Sequence, residues 1–521
     1  MQKKSGALRT VTIMMVITFA GKALGLLRDS FAGSYFGTAT AEATAFNYAG
    51  VLPRGFMDVL FSSAISASFI PVFNEALERW GRQKAFKLAH NFISLIFIAS
   101  AMVTIVFMAL AEPILRLYDG GGNAGVVALS ITPLRIMLLT IVLGCLAFSL
   151  TGVLQSLGEF NVPAAMGLVS NAVILIYFFF FMNRFGIIGL CAAFVTGWLA
   201  QFLIQIPFLV KNHFGFRFSL NLKDEGLKRI GLLMLPVMVS TWVTPVNLLI
   251  NGKMAHLDIY ADESFNGLTY ANNLYSVLSG VFVLSVTNVV FPRLSVHAVN
   301  EDRQAFGETM SQTIRVMFFL LLPMTFGLIA LSRPLVRLFY ERGEFTALST
   351  DLTSTALIYF STGICGFGLH NILTRGFYAF QEGRTPMLTS VLAIAANLGL
   401  SWGLVKLLGI GGPALASSIS ISLAAVVMLW VMNRRVKGIV SRRLCVDLLK
   451  MLAIGLIMLL AVLRTRDFLS ARLEDNIAGV IWIITLPAAA GTIIYMALAR
   501  LARLPEALTA FGILGKFLKR R

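Results

Sequence analysis

Charge is scarce in this chain. Of its 521 residues only 13% are Asp, Glu, Lys or Arg, against about 25% in a soluble domain. Acidic residues are the scarcest, 25 against 43 Lys and Arg, and histidine occurs five times. A chain so poor in charge cannot cover a water-facing surface of its own size. The four cysteines, Cys145, Cys191, Cys365 and Cys445, stand far apart in apolar stretches without CxxC spacing. That excludes a cysteine metal cluster and reads as small, polarisable packing residues. No Walker loop, HExxH, nucleophile elbow or hydrolytic acid pair is present, so neither an enzyme nor a cofactor is expected. Without an ATP site, any driving force must come from ion gradients, membrane potential or mass action. The first apolar run is long, charged and lacks a small-residue cleavage pattern. No cleavable signal peptide is expected, and the first helix should itself direct insertion.

Apolar residues make up 57% of the chain, and the mean hydropathy is +0.81. Long apolar runs recur from end to end, which predicts an all-α polytopic membrane protein. The net charge of +18 has no basic domain to hold it and sits in short loops and at the C-terminus, so no nucleic-acid partner is expected. At about 20 apolar residues per span, about fourteen transmembrane helices are expected. Their approximate cores are 11–36, 43–73, 86–111, 125–156, 161–182, 186–210, 228–256, 262–295, 306–332, 348–380, 386–408, 411–433, 445–464 and 476–501. Pro53 interrupts the second, and Pro236 with Pro245 the seventh. Broken helices suit a cavity lining, where freed backbone groups meet water or substrate.

Basic residues set the orientation. Lys3, Lys4 and Arg9 precede the first span, and Arg79, Arg82, Lys84 and Lys87 separate the second from the third. Lys211, Arg217, Lys223, Lys228 and Arg229 precede the seventh, and Arg434, Arg435, Lys437, Arg442 and Arg443 follow the twelfth. With this count all lie on one side, which predicts cytoplasmic termini. Asp258, Asp262 and Glu263 fall on the opposite side. Arg333, Arg337 and Arg342 also fall there, against the rule, and a pair of half-buried loop helices would account for them.

The chain repeats itself. Pro113-Ile-Leu-Arg116-Leu-Tyr118 recurs as Pro334-Leu-Val-Arg337-Leu-Phe339, and Tyr48-Ala49 with Pro71 recurs as Tyr270-Ala271 with Pro292. Gly158 and Pro163 correspond to Gly383 and Pro386. Matches in one order at nearly one offset predict two parallel six-helix lobes, 1–218 and 219–440, related by an axis along the membrane normal. Helices thirteen and fourteen (441–502) stand outside the repeat. The basic tail 503–521 reads either as an interfacial helix on an anionic leaflet or as a disordered end that fixes topology.

The candidate site begins in the first helix. Lys22, Arg28 and Asp29 lie within eight residues, beside Gly21 and Gly25. Lys22 falls about 18 Å into the segment at 1.5 Å per residue. A charge there costs about 2.5–3.5 kcal/mol on insertion scales, so it implies a function. One carboxylate cannot cancel two cations, although an internal ion pair with a structural kink is the alternative. Arg54 and Asp58, one turn apart in the second helix, can pair with each other. Asn47, Asn247, Asn251, Asn272 and Asn273 bring amides into the second, seventh and eighth helices. Lys253 and Arg135 lie near helix ends; His370 and Arg375 lie on the tenth, where an interhelical hydrogen bond is expected of His370. A positive excess at mid-membrane would attract an anion, and phosphate suits Lys and Arg best.

The stretch Gly21-Lys22-Ala-Leu-Gly25-Leu-Leu-Arg28-Asp29, with Phe69-Ile-Pro71-Val-Phe73 and Tyr270-Ala271-Asn272, resembles the MurJ family, the lipid II flippases of the MOP exporter superfamily. The resemblance extends over essentially the whole chain. It implies export of an undecaprenyl-diphosphate-linked disaccharide-pentapeptide by alternating access, through a cationic cavity lined by the first, second and eighth helices. It also implies a lipid-tail groove formed by the last two helices, and residence in the bacterial cytoplasmic membrane. Several positions depart from the family pattern. Lys22 stands where the family has Arg. The family's second-helix arginine aligns with Met57, leaving Arg54 as its substitute. Asn273 stands where the family has arginine. No carboxylate occupies the family's acidic ion site, which falls at Asn251 to Lys253.

The expected partner is therefore lipid II or a similar polyprenyl-diphosphate-linked glycolipid, with membrane lipids and a coupling ion. Lys22, Arg28, Asp29, Arg54, Asn272 and Asn273 form the expected binding set, with Asp58, Lys253 and Arg375 secondary. The alternatives are an exporter of another polyprenyl-linked oligosaccharide, a cation-coupled multidrug antiporter, and a membrane scaffold for cell-wall enzymes.

Overall fold

The computed structural model describes residues 2–55, 62–119, 124–241, 243–257, 261–474 and 476–509. Within them the ordered elements are all helical, as lipid demands of a backbone that must satisfy its own polar groups. They are α1 Gln2–Phe36, α2 Ala41–Gly55, α3 Ser62–Ala109, α4 Ala111–Asp119, α5 Ala124–Ser156, α6 Asn161–Phe180, α7 Met182–Leu203, α8 Ile206–Lys211 and α9 Glu225–Thr241. There follow α10 Val243–Ala255, α11 Ala261–Val299, α12 Arg303–Tyr340, α13 Ala347–Ser361, α14 Ile364–Ala379, α15 Arg384–Leu408, α16 Gly411–Arg435, α17 Arg442–Ser470 and α18 Ile477–Leu501.

Among the described residues nine helices are long and apolar enough to span a membrane, or ten if α13 and α14, bent by 46°, form one span. The four remaining expected spans fall on α1, on α2 with the start of α3, on α9 with α10, and on α11. They are the polar ones. α1 and α11 carry charged and amide side chains, while α2, α9 and α10 are short segments near Pro53, Pro236 and Pro245. The division expected between the second and third spans occurs at Gly81, whose φ of 77° breaks α3. Only glycine adopts that conformation without cost.

The chain divides into two compact units. Unit 1 comprises Met1–His256, Tyr260–Asn266 and Arg342–Phe345, and unit 2 comprises Leu257–Ile259, Gly267–Glu341 and Thr346–Arg521. This division differs from the repeat boundary at 218/219, because α9 packs on α3. Asn91 Nδ2 donates to Asp224 Oδ2 at 3.0 Å, and Asp224 Oδ1 in turn accepts from the Gly226 backbone at 2.9 Å. Arg229 pairs with Glu75 at 2.7 Å.

In unit 2, α12, α14 and α16 enclose an apolar core that includes Met310, Met317, Met428 and Met432. α17 and α18 close a second cluster on α12 through Phe326, Met458, Val462 and Tyr495. A Cβ at Gly455 would collide with the Phe326 ring, so this glycine sets how closely α17 approaches. Two expectations are corrected here. Cys445 is exposed rather than a packing residue. His370 Nε2 is buried without a hydrogen-bond partner, since its nearest polar neighbours on α14, Asn371 and Thr374, bond backbone carbonyls instead. At the described start of the tail, Leu504 and Ala507 are fully buried, and Glu506 pairs with Arg315 at 2.5 Å. Residues 510–521 lie outside the described residues. The basic segment at the end of α12 is partly neutralised by Arg333–Asp351 at 3.0 Å and Arg337–Glu341 at 3.3 Å. Its motif Pro334–Phe339 continues α12 instead of forming a separate loop helix, whereas Pro113–Tyr118 lies in the separate helix α4.

Candidate functional site: a fixed cation in the first helix

The site is built where α1 crosses α6. Gly21 and Gly25 are one turn apart, the small-xxx-small spacing that lets membrane helices approach closely. A Cβ on Gly21 would stand 3.1 Å from the Leu168 backbone, and one on Gly25 would stand 3.1 Å from Asn171 Nδ2. Into the space these glycines leave comes Asn171 of α6. Its Nδ2 donates to the Gly21 carbonyl at 2.9 Å, while its Oδ1 accepts from Arg28 Nη1 at 2.9 Å.

Arg28 is held on its other edge by Asp29. Nε and Nη2 both donate to Asp29 Oδ1, at 2.9 and 2.7 Å. The guanidinium also lies over the Phe194 ring of α7, 5.2 Å from the centroid. Side-chain exposures of 23% for Arg28 and 13% for Asp29 place the pair where water is restricted but a ligand can still reach. Such charge-assisted contacts contribute about 1.5–3 kcal/mol each. They fix the cation's position before a ligand arrives. Asn171 is the residue that sequence reasoning missed. A lone amide in the apolar run of α6 was the available signal.

The other expected residues fall as follows. Lys22 is half-buried on α1. Asp29 pairs with its neighbour Arg28. Arg54 turns back on α2, with Nε donating to the Gly50 carbonyl at 3.0 Å and Nη2 to the Asn47 carbonyl at 3.4 Å. Gly50 makes room for this fold, since a Cβ there would collide with the guanidinium. Asp58 and Met57 lie outside the described residues. Lys253 is exposed and donates to the Leu117 carbonyl at 3.1 Å, a cation near the C-terminal end of α4. Arg135 makes a similar contact with the Met108 carbonyl at 3.3 Å. Asn272 and Asn273, both half-buried, lie on α11 in unit 2, as does the region where Arg375 of α14 stacks over Phe291 at 5.5 Å. The structure thus assembles Arg28, Asp29 and Asn171; the amides belong to the other unit.

A second polar cluster occupies another part of unit 1. Asn47 Nδ2 donates to Asn266 Oδ1 at 2.8 Å, and Asn266 donates to the Thr38 carbonyl at 2.7 Å. Beside it, Tyr48 Oη contacts both Asp119 Oδ1 at 3.0 Å and His256 Nε2 at 2.8 Å. Among the described residues no group of three or more His, Cys, Asp or Glu could hold a metal ion.

A multi-pass helical membrane protein with a preformed cation in its first helix is the class that fold and site define. Its relatives narrow the class. The family model described as lipid II flippase MurJ matches residues 32–474, and the chain belongs to the MurJ family. Among curated relatives, the probable lipid II flippase MurJ of Treponema pallidum is 28% identical over 451 residues, covering 84% of this chain and 83% of that protein. That of Vibrio cholerae is 28% identical over 425 residues, covering 79% and 80%. A solved structure of lipid II flippase MurJ in an inward closed conformation superposes with a TM-score of 0.78 at 25% identity, covering 94% of this chain and 98% of that one. A multidrug resistance MATE transporter of the MOP superfamily shares the fold, with a TM-score of 0.69 at 14% identity over 82% of this chain and 98% of its own. The matched range begins after Asp29, so the role of the Lys22–Asp29 stretch rests on its own geometry.

Proposed function

We propose that this protein carries lipid II from the inner to the outer leaflet of the bacterial cytoplasmic membrane by alternating access. Both termini would be cytoplasmic, and the repeated lobes 1–218 and 219–440 would supply the moving parts, with helices thirteen and fourteen appended. Membership of the MurJ family, matched over residues 32–474, carries this reading. The Arg28–Asp29–Asn171 arrangement supports it chemically. Arg28, aided by Lys22 and Arg54, binds the diphosphate, and Asp29 orients the cation. Asn272 and Asn273 hold sugar or peptide, while Lys253, Arg375 and Asp58 contribute at the margins. Membrane lipids and a coupling ion complete the set of partners.

Asn273, in place of the family's arginine, favours a second reading: export of another polyprenyl-diphosphate-linked oligosaccharide. Native mass spectrometry of the purified protein with competing polyprenyl-linked lipids separates the two. Preferential retention of lipid II supports the first reading, and preference for another glycan overturns it. In cells, Arg28→Ala and Lys22→Ala should fail to complement a flippase-depleted strain. Intact complementation by both would show that the cations are misassigned.

A further inference from the structure

We propose that the side-chain chain Asp119–Tyr48–His256–Asp262 is a proton-binding site in unit 1, loaded by one proton from solution. Three contacts run in series. Asp119 Oδ1 lies 3.0 Å from Tyr48 Oη, Tyr48 Oη lies 2.8 Å from His256 Nε2, and His256 Nδ1 lies 3.6 Å from Asp262 Oδ1. The first two are hydrogen bonds and the third is an ion-pair distance. Each needs a hydrogen between its atoms to be attractive. A neutral tyrosine supplies one, and a neutral imidazole supplies one. With both carboxylates ionised the series is one hydrogen short, whichever tautomer the histidine adopts.

The missing hydrogen has a definite consequence. If Tyr48 donates to Asp119, then His256 Nε2–H must donate to Tyr48. The Nδ1 lone pair then faces the Asp262 carboxylate unless a proton joins them. If Tyr48 instead donates to His256, the contact between Tyr48 and Asp119 is the one left without a hydrogen between its atoms. One added proton completes the series in either case.

Aromatic rings surround the imidazole, whose side chain is 10% exposed, while the Asp262 side chain is 31% exposed. Phe265 stacks on the imidazole with centroids 5.0 Å apart, and Tyr48 and Tyr118 stand edge-on to it at 5.5 and 6.4 Å. Gly252 admits Tyr118, whose hydroxyl a Cβ there would strike. The series gathers four elements: α2 gives Tyr48, α4 Asp119, the end of α10 His256, and the start of α11 Asp262. The other titratable and charged groups around it are Tyr118 of α4, Glu263 beside Asp262, Lys253, which bonds the Leu117 carbonyl, and Arg54 of α2. At the shielded imidazole, completing such a network strengthens its members, and leaving it incomplete is costly. Proton uptake therefore favours the arrangement of unit 1 described above. Only the further step, that this proton is the coupling ion, rests on the transport reading.

The test is hydrogen–deuterium exchange of the full-length protein in lipid nanodiscs between about pH 3 and pH 8, corrected for the intrinsic pH dependence of exchange. Peptides spanning 44–52 and 253–266 should be protected at low pH. Protection should fall by about tenfold per pH unit through one transition, the slope of a single proton. His256→Gln and Asp262→Asn keep much of the shape but cannot titrate, and each should remove the transition. Tyr48→Phe should lower protection at low pH. A wild-type protein without the transition, or a transition that persists in both His256→Gln and Asp262→Asn, overturns the proposal. A protein that shows the transition but ignores lipid II would leave this site standing and remove the flippase reading.

Discussion

The two units are both helical and both apolar outside, yet they are joined internally by different means. In unit 1, side chains cross from helix to helix to make hydrogen bonds: Arg28 to Asn171, Asn171 to the Gly21 carbonyl, Asn47 to Asn266, and Tyr48 to Asp119. In unit 2 the described clusters are packed sulfur, aliphatic and aromatic groups around Met310, Met428 and Phe326. Its Arg315–Glu506 and Arg315–Asp447 pairs tie α12 to α17 and to the start of the tail. Directional bonds hold polar groups at set positions, whereas non-directional packing fixes shape alone. Unit 2 also has cross-helix hydrogen bonds, such as Ser418 to the Tyr359 carbonyl and Tyr495 to the Phe319 carbonyl; on the proposed function, the contrast would put the diphosphate contacts in unit 1 and leave more of unit 2 as scaffold.

That assignment can be broken in four ways. Arg28→Ala should have the largest effect, lowering lipid II affinity about 10–100-fold, the equivalent of a charge-assisted contact, as read by native mass spectrometry titration. Gly455→Leu should drive a side chain into Phe326 and lower stability by about 1–3 kcal/mol while changing lipid II affinity less than Arg28→Ala does. Thermal unfolding and the same titration read the two quantities separately, and a loss of affinity without a loss of stability would contradict the scaffold role. Asn171→Ala should cost about 1 kcal/mol per hydrogen bond removed, seen as a several-fold weaker affinity with the protein still folded. Lys253→Ala, which removes a cation from the end of α4, should cost about 0.3–1 kcal/mol in thermal stability with little change in binding.

Much of the fold is legible in the sequence because lipid imposes a strict code. Long apolar runs must be helices, and a conformation such as that at Gly81 falls to glycine. The stretch from Gly21 to Asp29 is likewise conspicuous, since charge within an apolar run is expensive. Asn171 was not legible. It lies 143 residues from Arg28, and nothing local shows that it meets Gly25 across a helix crossing. Tyr48 was visible only as part of a repeat, and Asp119 not at all. Their significance depends on His256 arriving from the end of α10, a long-range contact that periodicity does not encode. His370 shows the opposite failure: a histidine expected to bond across helices is instead enclosed without a partner. The seventh helix is a further case. Repetition groups it with the second lobe, but Asp224 and Arg229 fasten it to α3.

Arginine has five N–H groups, and the bonds of Arg28 to Asp29 and Asn171 engage Nε–H, one Nη1–H and one Nη2–H. Two N–H groups are left on the guanidinium, one on each terminal nitrogen. Arg28 therefore meets an anion as a two-pronged donor, already oriented by its neighbours, and reaches at most two oxygens. A diphosphate exposes more oxygens than that, so the remainder must be satisfied by other groups or by water. On the proposed function, the fixed cation of the first helix would grip one phosphate while the rest of the headgroup is left to be released.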